Sequence, residues 1–158
     1  MEYNCVQILA QSLEKKNQVL DQIIEQNILQ DQILKQESFD MDAFENTIDA
    51  QNRMLAELDK LDDGFESLYE RVRESLISNK ESYHKEITHM KELIQQITDK
   101  IVTVNAGNLR NQRMAEQQFK KEKNTIRQGV SKSKAAMNYY NNMNKLNSVA
   151  PQFYDSKK

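Results

Sequence analysis

The residues of this sequence that most readily suggest chemistry are two histidines, His84 and His89, in the stretch HKEITH. Two helical histidines can bind one zinc ion when they lie four residues apart, as in the H-E-x-x-H motif. These two are five apart, which turns their side chains about 140° away from each other on a helix. The spacing therefore predicts two solvated histidines and no metal site.

Acidic and thiol groups offer no better basis for catalysis. Asp59, Asp62, Asp63 and Glu66 form an acidic cluster without the ligand spacing and glycine turn of a calcium loop, so we predict a solvated face there. Cys5 is the only cysteine and has no basic neighbour to activate its thiol. The sequence holds no Ser/His/Asp constellation and no glycine-rich phosphate loop. It therefore predicts a protein that is not an enzyme and that needs no cofactor or metal.

Charge is divided unevenly along the chain. Residues 1–108 carry 11 Lys and Arg against 21 Asp and Glu, whereas residues 109–145 carry 9 against 2. The basic segment has the right sign for nucleic acid or an acidic membrane surface, but no recognised DNA-binding module accompanies it. We therefore predict a solvated helix face or a site for an acidic protein partner, and no nucleic-acid binding.

Composition favours long helices, and the single cysteine favours a reducing compartment. The chain has 3 Gly, 1 Pro and no Trp, while Glu, Gln, Lys, Leu and Asn are abundant. No stretch approaches the ~18–20 apolar residues of a membrane span, and the N-terminus lacks the basic and apolar regions of a signal peptide. A lone cysteine is typical of a reducing environment. We expect a soluble, cytoplasmic, all-α protein.

The first predicted helix covers residues 3–35. Lys16 and Asn27 fall on its apolar stripe, where a buried polar residue can fix the register of helix packing. Asp40 or Asp42 is the predicted N-cap of the next helix. The apolar positions of the first helix are Val6, Leu9, Leu13, Leu20, Ile23, Ile24, Ile28 and Leu34.

The second predicted helix crosses Gly64 without a break in its periodicity, so we predict one helix, kinked or straight at that glycine. It ends near Ser78, whose capping-box spacing with Glu81 predicts the start of the third helix. The third helix has no clear stop before Gly129, and Gly107 is a weak point within it. The apolar positions of the second helix are Phe44, Ile48, Leu55, Leu58, Leu61, Phe65, Tyr69, Val72 and Leu76.

The most regular apolar seam of the chain lies in the third helix. Its spacing alternates between three and four residues, and this 3.5-residue repeat predicts packing against a second helix. The next two positions in register are Asn108 and Asn111, so we predict a helix that is packed up to Val104 and free beyond it. The seam consists of Ile87, Met90, Ile94, Ile97, Ile101 and Val104.

These elements predict an elongated antiparallel helical bundle or coiled coil of three long helices, followed by a short C-terminal helix or flexible tail. Residues 1–130 would form the bundle and residues 131–158 the tail. The tail contains Met137 and Met143, and methionine-rich surfaces adapt to several partners. Residues 131–158 could instead fold back as a fourth core element. The predicted partner-binding residues are Met114, Phe119, Ile126, Val130, Met137, Tyr139, Tyr140, Met143 and Leu146.

Three stretches of the chain carry a family resemblance: VQILAQSLEKKNQVLDQIIEQ, DMDAFENTIDAQNRMLAEL and ELIQQITDKIVTVNAGNLRNQ. In the third, Asn105 and Asn108 match an Asn-x-x-Asn segment. With these stretches the sequence resembles the flagellar type III export chaperones of the FlgN family. The ending YYNNMNKLNSVAPQFYDSKK is similar to the tails of clostridial members. The Tyr-Gly turn that usually follows the third helix is absent, since Asn141 follows Tyr140.

The resemblance implies a cytoplasmic chaperone that keeps hook-associated (hook–filament junction) proteins unassembled before type III secretion. It also implies that the C-terminal helical region binds an amphipathic helical segment at the C-terminus of such a protein, while contact with the export apparatus stays open. The alternative function is a non-enzymatic coiled-coil adaptor or homo-oligomeric scaffold, in which the same stripe pairs with another copy. The expected state is a monomer or a weak homodimer.

Overall fold

The computed structural model describes residues 2–121 together with Asn138 and Tyr139. Three long helices occupy residues 2–121: α1 (Glu2–Lys35), α2 (Met41–Ser78) and α3 (His84–Lys121). Asn138 and Tyr139 are helical as well. The predicted all-α bundle of three long helices is therefore confirmed. The predicted domain boundary at residue 130 and the helix stop at Gly129 lie outside the described residues.

The helix ends follow local side-chain chemistry. Asp40 is the N-cap of α2, because its carboxylate accepts a hydrogen bond of 3.0 Å from the backbone N–H of Ala43. The predicted continuity of α2 through Gly64 is confirmed. The prediction that Ser78 caps the third helix is wrong. Ser78 is the last residue of α2, Asn79 is its C-cap, and α3 begins only at His84.

Helix α1 lies between the other two helices and packs along both of them. It runs antiparallel to α2, since Lys16 pairs with Asp62 near the middle of both helices and Gln30 with Thr47 closer to the α1–α2 connection. It runs parallel to α3, as expected when two reversals separate them. The polar contacts that join α1 to α3 accordingly link residues 75 to 84 positions apart in the chain.

Each helix buries one seam with alternating three- and four-residue spacing, as in coiled coils. In α1 the predicted burial of Lys16 and Asn27 is confirmed. Ile28, which we predicted on the stripe, is exposed, because the buried seam passes through Asn27 and Gln30 instead. The complete α1 seam is Val6, Leu9, Leu13, Lys16, Leu20, Ile23, Asn27, Gln30 and Leu34.

The predicted seams of α2 and α3 also form the core. All six apolar residues of the α3 seam are buried. In α2, six of the nine predicted positions are buried, whereas Leu61, Phe65 and Tyr69 are only partly buried. Those three lie in the C-terminal half of α2, beside the beginning of α1. The bundle is therefore less completely covered at this end of the α1–α2 pair.

Candidate binding surface on helix α3

The polar positions that follow the α3 seam are packed, not free. Asn108 and Asn111 continue the spacing of the seam beyond Val104, and both are buried. Asn111 donates a hydrogen bond of 3.0 Å from its side-chain amide to the backbone carbonyl of Asn27 in α1. Ala115, one step further along the seam, is buried too. The prediction that α3 is free beyond Val104 is therefore wrong, because the side chain of Asn111 bonds to α1 and Asn108 is buried.

Asn27 is the residue of α1 that joins both neighbouring helices. Its side-chain amide nitrogen donates to the backbone carbonyl of Val104 in α3 at 3.4 Å, and its oxygen accepts from Nε2 of Gln51 in α2. Gly107 lies directly against it, since a Cβ built on this glycine would come within 3.0 Å of the Asn27 nitrogen. Gly107 thus marks a close approach of two helices and not a weak point in α3.

The hydrogen bonds continue from Asn27 across the α1–α2 interface. Gln30 donates to Oε1 of Gln51 at 3.2 Å and to Oγ1 of Thr47 at 2.9 Å. We call the resulting set, Asn27, Gln30, Thr47, Gln51 and Asn111, the Asn27 network. All five side chains are buried, and buried amides that bond to one another select one alignment of the helices.

Two of the predicted partner-binding residues lie near the end of α3, and both support the core. Met114 is partly buried and packs against the apolar cluster. Phe119 is also partly buried, and its ring makes edge contacts with Phe39 and Phe44, at centroid distances of 6.3 and 5.8 Å. These three rings join α3 to the α1–α2 connection.

Tyr139 is the third predicted partner-binding residue that the structure describes. It is fully buried, belongs to the main apolar core, and donates a hydrogen bond from its hydroxyl to Oδ1 of Asn108 at 3.4 Å. A helical residue from far along the chain is thus seated on the polar part of the α3 seam. The other predicted partner-binding residues lie outside the described residues: Ile126, Val130, Met137, Tyr140, Met143 and Leu146.

The outer side of α3 carries exposed apolar residues that the sequence reasoning missed. Val102 is 65% exposed and Leu109 is 51% exposed. They are seven residues apart, with exposed Ala106 between them on the same face, and we call these three residues the α3 outer stripe. Arg113, four residues after Leu109, extends this face as an exposed positive charge. The seven-residue spacing is visible in the sequence, but the longer and more regular buried seam dominates the apolar pattern of this helix.

Two of the groups that could do chemistry form polar contacts with α1. His89 is exposed and lies 2.9 Å from the carboxylate of Glu14 on α1. Asp62 is not solvated as predicted, since it forms a 2.7 Å ion pair with Lys16 in which the side chains are only 13% and 5% exposed. Burial raises the pKa of Asp62, and the nearby Lys16 offsets only part of that rise. Among the described residues, no His, Cys, Asp or Glu cluster could hold a metal ion.

No protein-family model, curated protein or solved structure matches this chain. None of the helices in residues 2–121 has the length of apolar sequence that a membrane span requires.

Proposed function

We propose that this chain is a cytoplasmic, non-enzymatic flagellar export chaperone of the FlgN kind. It would bind an amphipathic helical segment of a hook-associated protein and keep that protein unassembled before type III secretion. The sequence resemblance supports this function, and an all-α bundle with an exposed apolar stripe is compatible with it.

The observation that carries the proposal is the α3 outer stripe, which presents Val102 and Leu109 to solvent from the middle of the helix onwards. Tyr139 packs instead on the buried seam, where its hydroxyl donates to Asn108. An amphipathic helix from a partner would cover Val102 and Leu109 with its own apolar face, in the manner of helix-in-groove recognition.

This arrangement changes the role of the residues first predicted to touch the partner. Met114, Phe119 and Tyr139 would hold α3 in place from within, while the α3 outer stripe makes the contact. Arg113 at the end of the stripe has no acidic partner among the described residues. It would favour a captured helix that carries an acidic residue at that end.

The test is calorimetric titration of the full chain with the C-terminal helical segment of a flagellar hook-associated protein. Leu109→Asp should weaken binding by about 2 kcal/mol or more, roughly thirtyfold in Kd, because a charge replaces an apolar anchor. Leu29→Asp is the matched control, since Leu29 is 45% exposed on α1, and it should bind normally. Absence of binding by the wild type, or an equal loss in both variants, would overturn the proposal.

A further inference from the structure

Neither the backbone conformation of α2 nor packing within the chain requires glycine at position 64. Gly64 lies near the middle of a 38-residue helix with ordinary helical backbone. It is exposed, and a Cβ added to it would meet nothing within 4 Å. Glycine weakens a helix interior relative to alanine. What glycine does provide is room for another backbone to come close.

An apolar groove runs beside Gly64 between α1 and α2. Its walls include Ile8 from α1 and Leu61, Phe65 and Leu68 from α2. Ile8 is exposed, and the three α2 side chains are only partly buried. The groove is therefore apolar surface in contact with water, next to the one place on α2 where a second helix could approach most closely.

Two opposite charges of α2 lie at equal distances on either side of Gly64. Glu57 lies seven residues before it and Arg71 seven residues after it, which is two helical turns, or about 10.5 Å, in each direction. Arg71 is exposed, and the Glu57 side chain is 42% exposed with a single long contact of 3.8 Å to Lys15.

This pattern is self-complementary for two antiparallel copies of the helix. When α2 of a second copy crosses at Gly64, each Glu57 faces Arg71 of the second copy. A different partner would need to match both charges independently, whereas a second copy supplies them at the required distance from the crossing. Leu68 of each copy would reach the groove beside Leu61 of the other.

We propose that two copies of the chain associate through α2, antiparallel, with the two helices crossing at Gly64. The contact is isologous, as a two-fold axis requires, with leucines near its centre and charge pairs at its rim. A single helix crossing covers less area than a standard interface, so the dimer should depend on concentration. This face is separate from the α3 outer stripe, and dimer formation is measured without any partner, so failure of the chaperone proposal would leave it intact.

Sedimentation equilibrium of the full chain tests the dimer by charge exchange. Glu57→Arg and Arg71→Glu each turn two attractive pairs into repulsive ones, and each should weaken the dimer about thirtyfold. The double variant should regain the wild-type affinity. An equimolar mixture of the two single variants should form a heterodimer, because each then supplies the opposite charge to the other. Glu70→Arg is the matched control on the same helix, about 120° away from Gly64, and should dimerise normally.

Gly64→Gln tests the close approach. Because the added side chain meets no atom of its own chain, the helix content and melting temperature should be maintained or increase. The dimer should nevertheless be lost. A wild type that stays monomeric at every concentration, a Gly64→Gln variant that dimerises like the wild type, or single charge reversals without effect would each overturn the proposal.

Discussion

The side-chain amide of Asn111 in α3 hydrogen-bonds to the backbone carbonyl of Asn27 in α1, at a donor–acceptor distance of 3.0 Å. Both residues are buried and lie 84 positions apart in the chain. Because Asn27 also bonds to Gln51 in α2, this contact places all three helices in one hydrogen-bonded layer. The alignment of α3 along α1 is thus set by amides as well as by apolar side chains.

Replacement of Asn27 should be costly because it leaves buried groups without partners. Asn27→Ala removes the acceptor of Gln51 and the donor to Val104, and a buried unpaired polar group costs about 1–3 kcal/mol. Asn17→Ala is a matched control, since Asn17 also links α1 to α3, through Gln96, but at an exposed position. Its effect should be within about 0.5 kcal/mol. Chemical denaturation of both variants makes the comparison, and equal losses would contradict a special role for Asn27.

The two described glycines should respond oppositely to alanine. Gly64→Ala should raise the free energy of unfolding by up to about 1 kcal/mol, because the helix gains propensity and the methyl group meets nothing. Gly107→Ala gains the same propensity, but its methyl group presses on Asn27, which hydrogen bonds hold in place. We expect Gly107→Ala to be less stable than the wild type in thermal melts. A gain like that of Gly64→Ala would mean that α1 and α3 separate easily there.

The ion pair between Lys16 and Asp62 should show strong coupling in a double-mutant cycle. Lys16→Met or Asp62→Leu alone leaves one poorly solvated charge without its partner, at a cost of about 3–5 kcal/mol when such a pair is buried. The double variant Lys16→Met/Asp62→Leu should recover most of that loss, because two apolar side chains can fill the same space. Additive losses in urea denaturation would contradict the pairing.

The same pair predicts a pH dependence of definite sign. Asp62 has a raised pKa in the folded chain, caused first by burial, opposed by Lys16, and reinforced by Asp59 and Asp63. A group whose folded pKa is raised binds protons more tightly when folded. The contribution of Asp62 to stability should therefore increase as the pH falls from the raised pKa towards the ordinary aspartate value. The difference in unfolding free energy between wild type and Lys16→Met/Asp62→Leu, measured across the acidic range, should shift in favour of the wild type.

Replacement of Tyr139 should lower the free energy of unfolding, whereas replacement of a surface residue that only contacts a partner should leave it nearly unchanged. Tyr139→Ala empties a fully buried position and should cost about 3–5 kcal/mol. Tyr139→Phe keeps the ring and loses only the hydrogen bond to Asn108, so about 1 kcal/mol is expected. Thermal unfolding of the two variants measures both values. An unchanged melting temperature for Tyr139→Ala would mean that the segment around it does not stabilise the bundle.

Much of the fold could be predicted from periodicity, and the errors have a common cause. The apolar seam from Ile87 to Val104 was recognised because water excludes such residues wherever they recur at helical spacing. Asn108 and Asn111 were predicted to be free, because a sequence shows a polar residue but not the distant carbonyl that satisfies it. Ser78 was misassigned for a similar reason, since a capping box looks the same whether or not the preceding helix continues through it.

The candidate surface was harder to predict than the fold. Val102 and Leu109 belong to no long apolar pattern, and their exposure depends on where α1 and α2 lie. Tyr139 was placed among residues that contact a partner, although aromatic residues near the end of a chain can equally pack inward. Only the packing of the helices distinguishes the two outcomes.

The parallel alignment of α1 with α3 has a consequence for the order of folding. The contacts that hold α1 on α2 lie within residues 2–78 and are available early during synthesis. The hydrogen bonds between α1 and α3 instead require closure of a loop of 75 residues or more. We expect the α1–α2 hairpin to form first. Its apolar surface that later contacts α3 should be exposed to water until α3 emerges from the ribosome. Pulse-labelled hydrogen exchange during refolding should accordingly protect amides of α1 and α2 before those of α3.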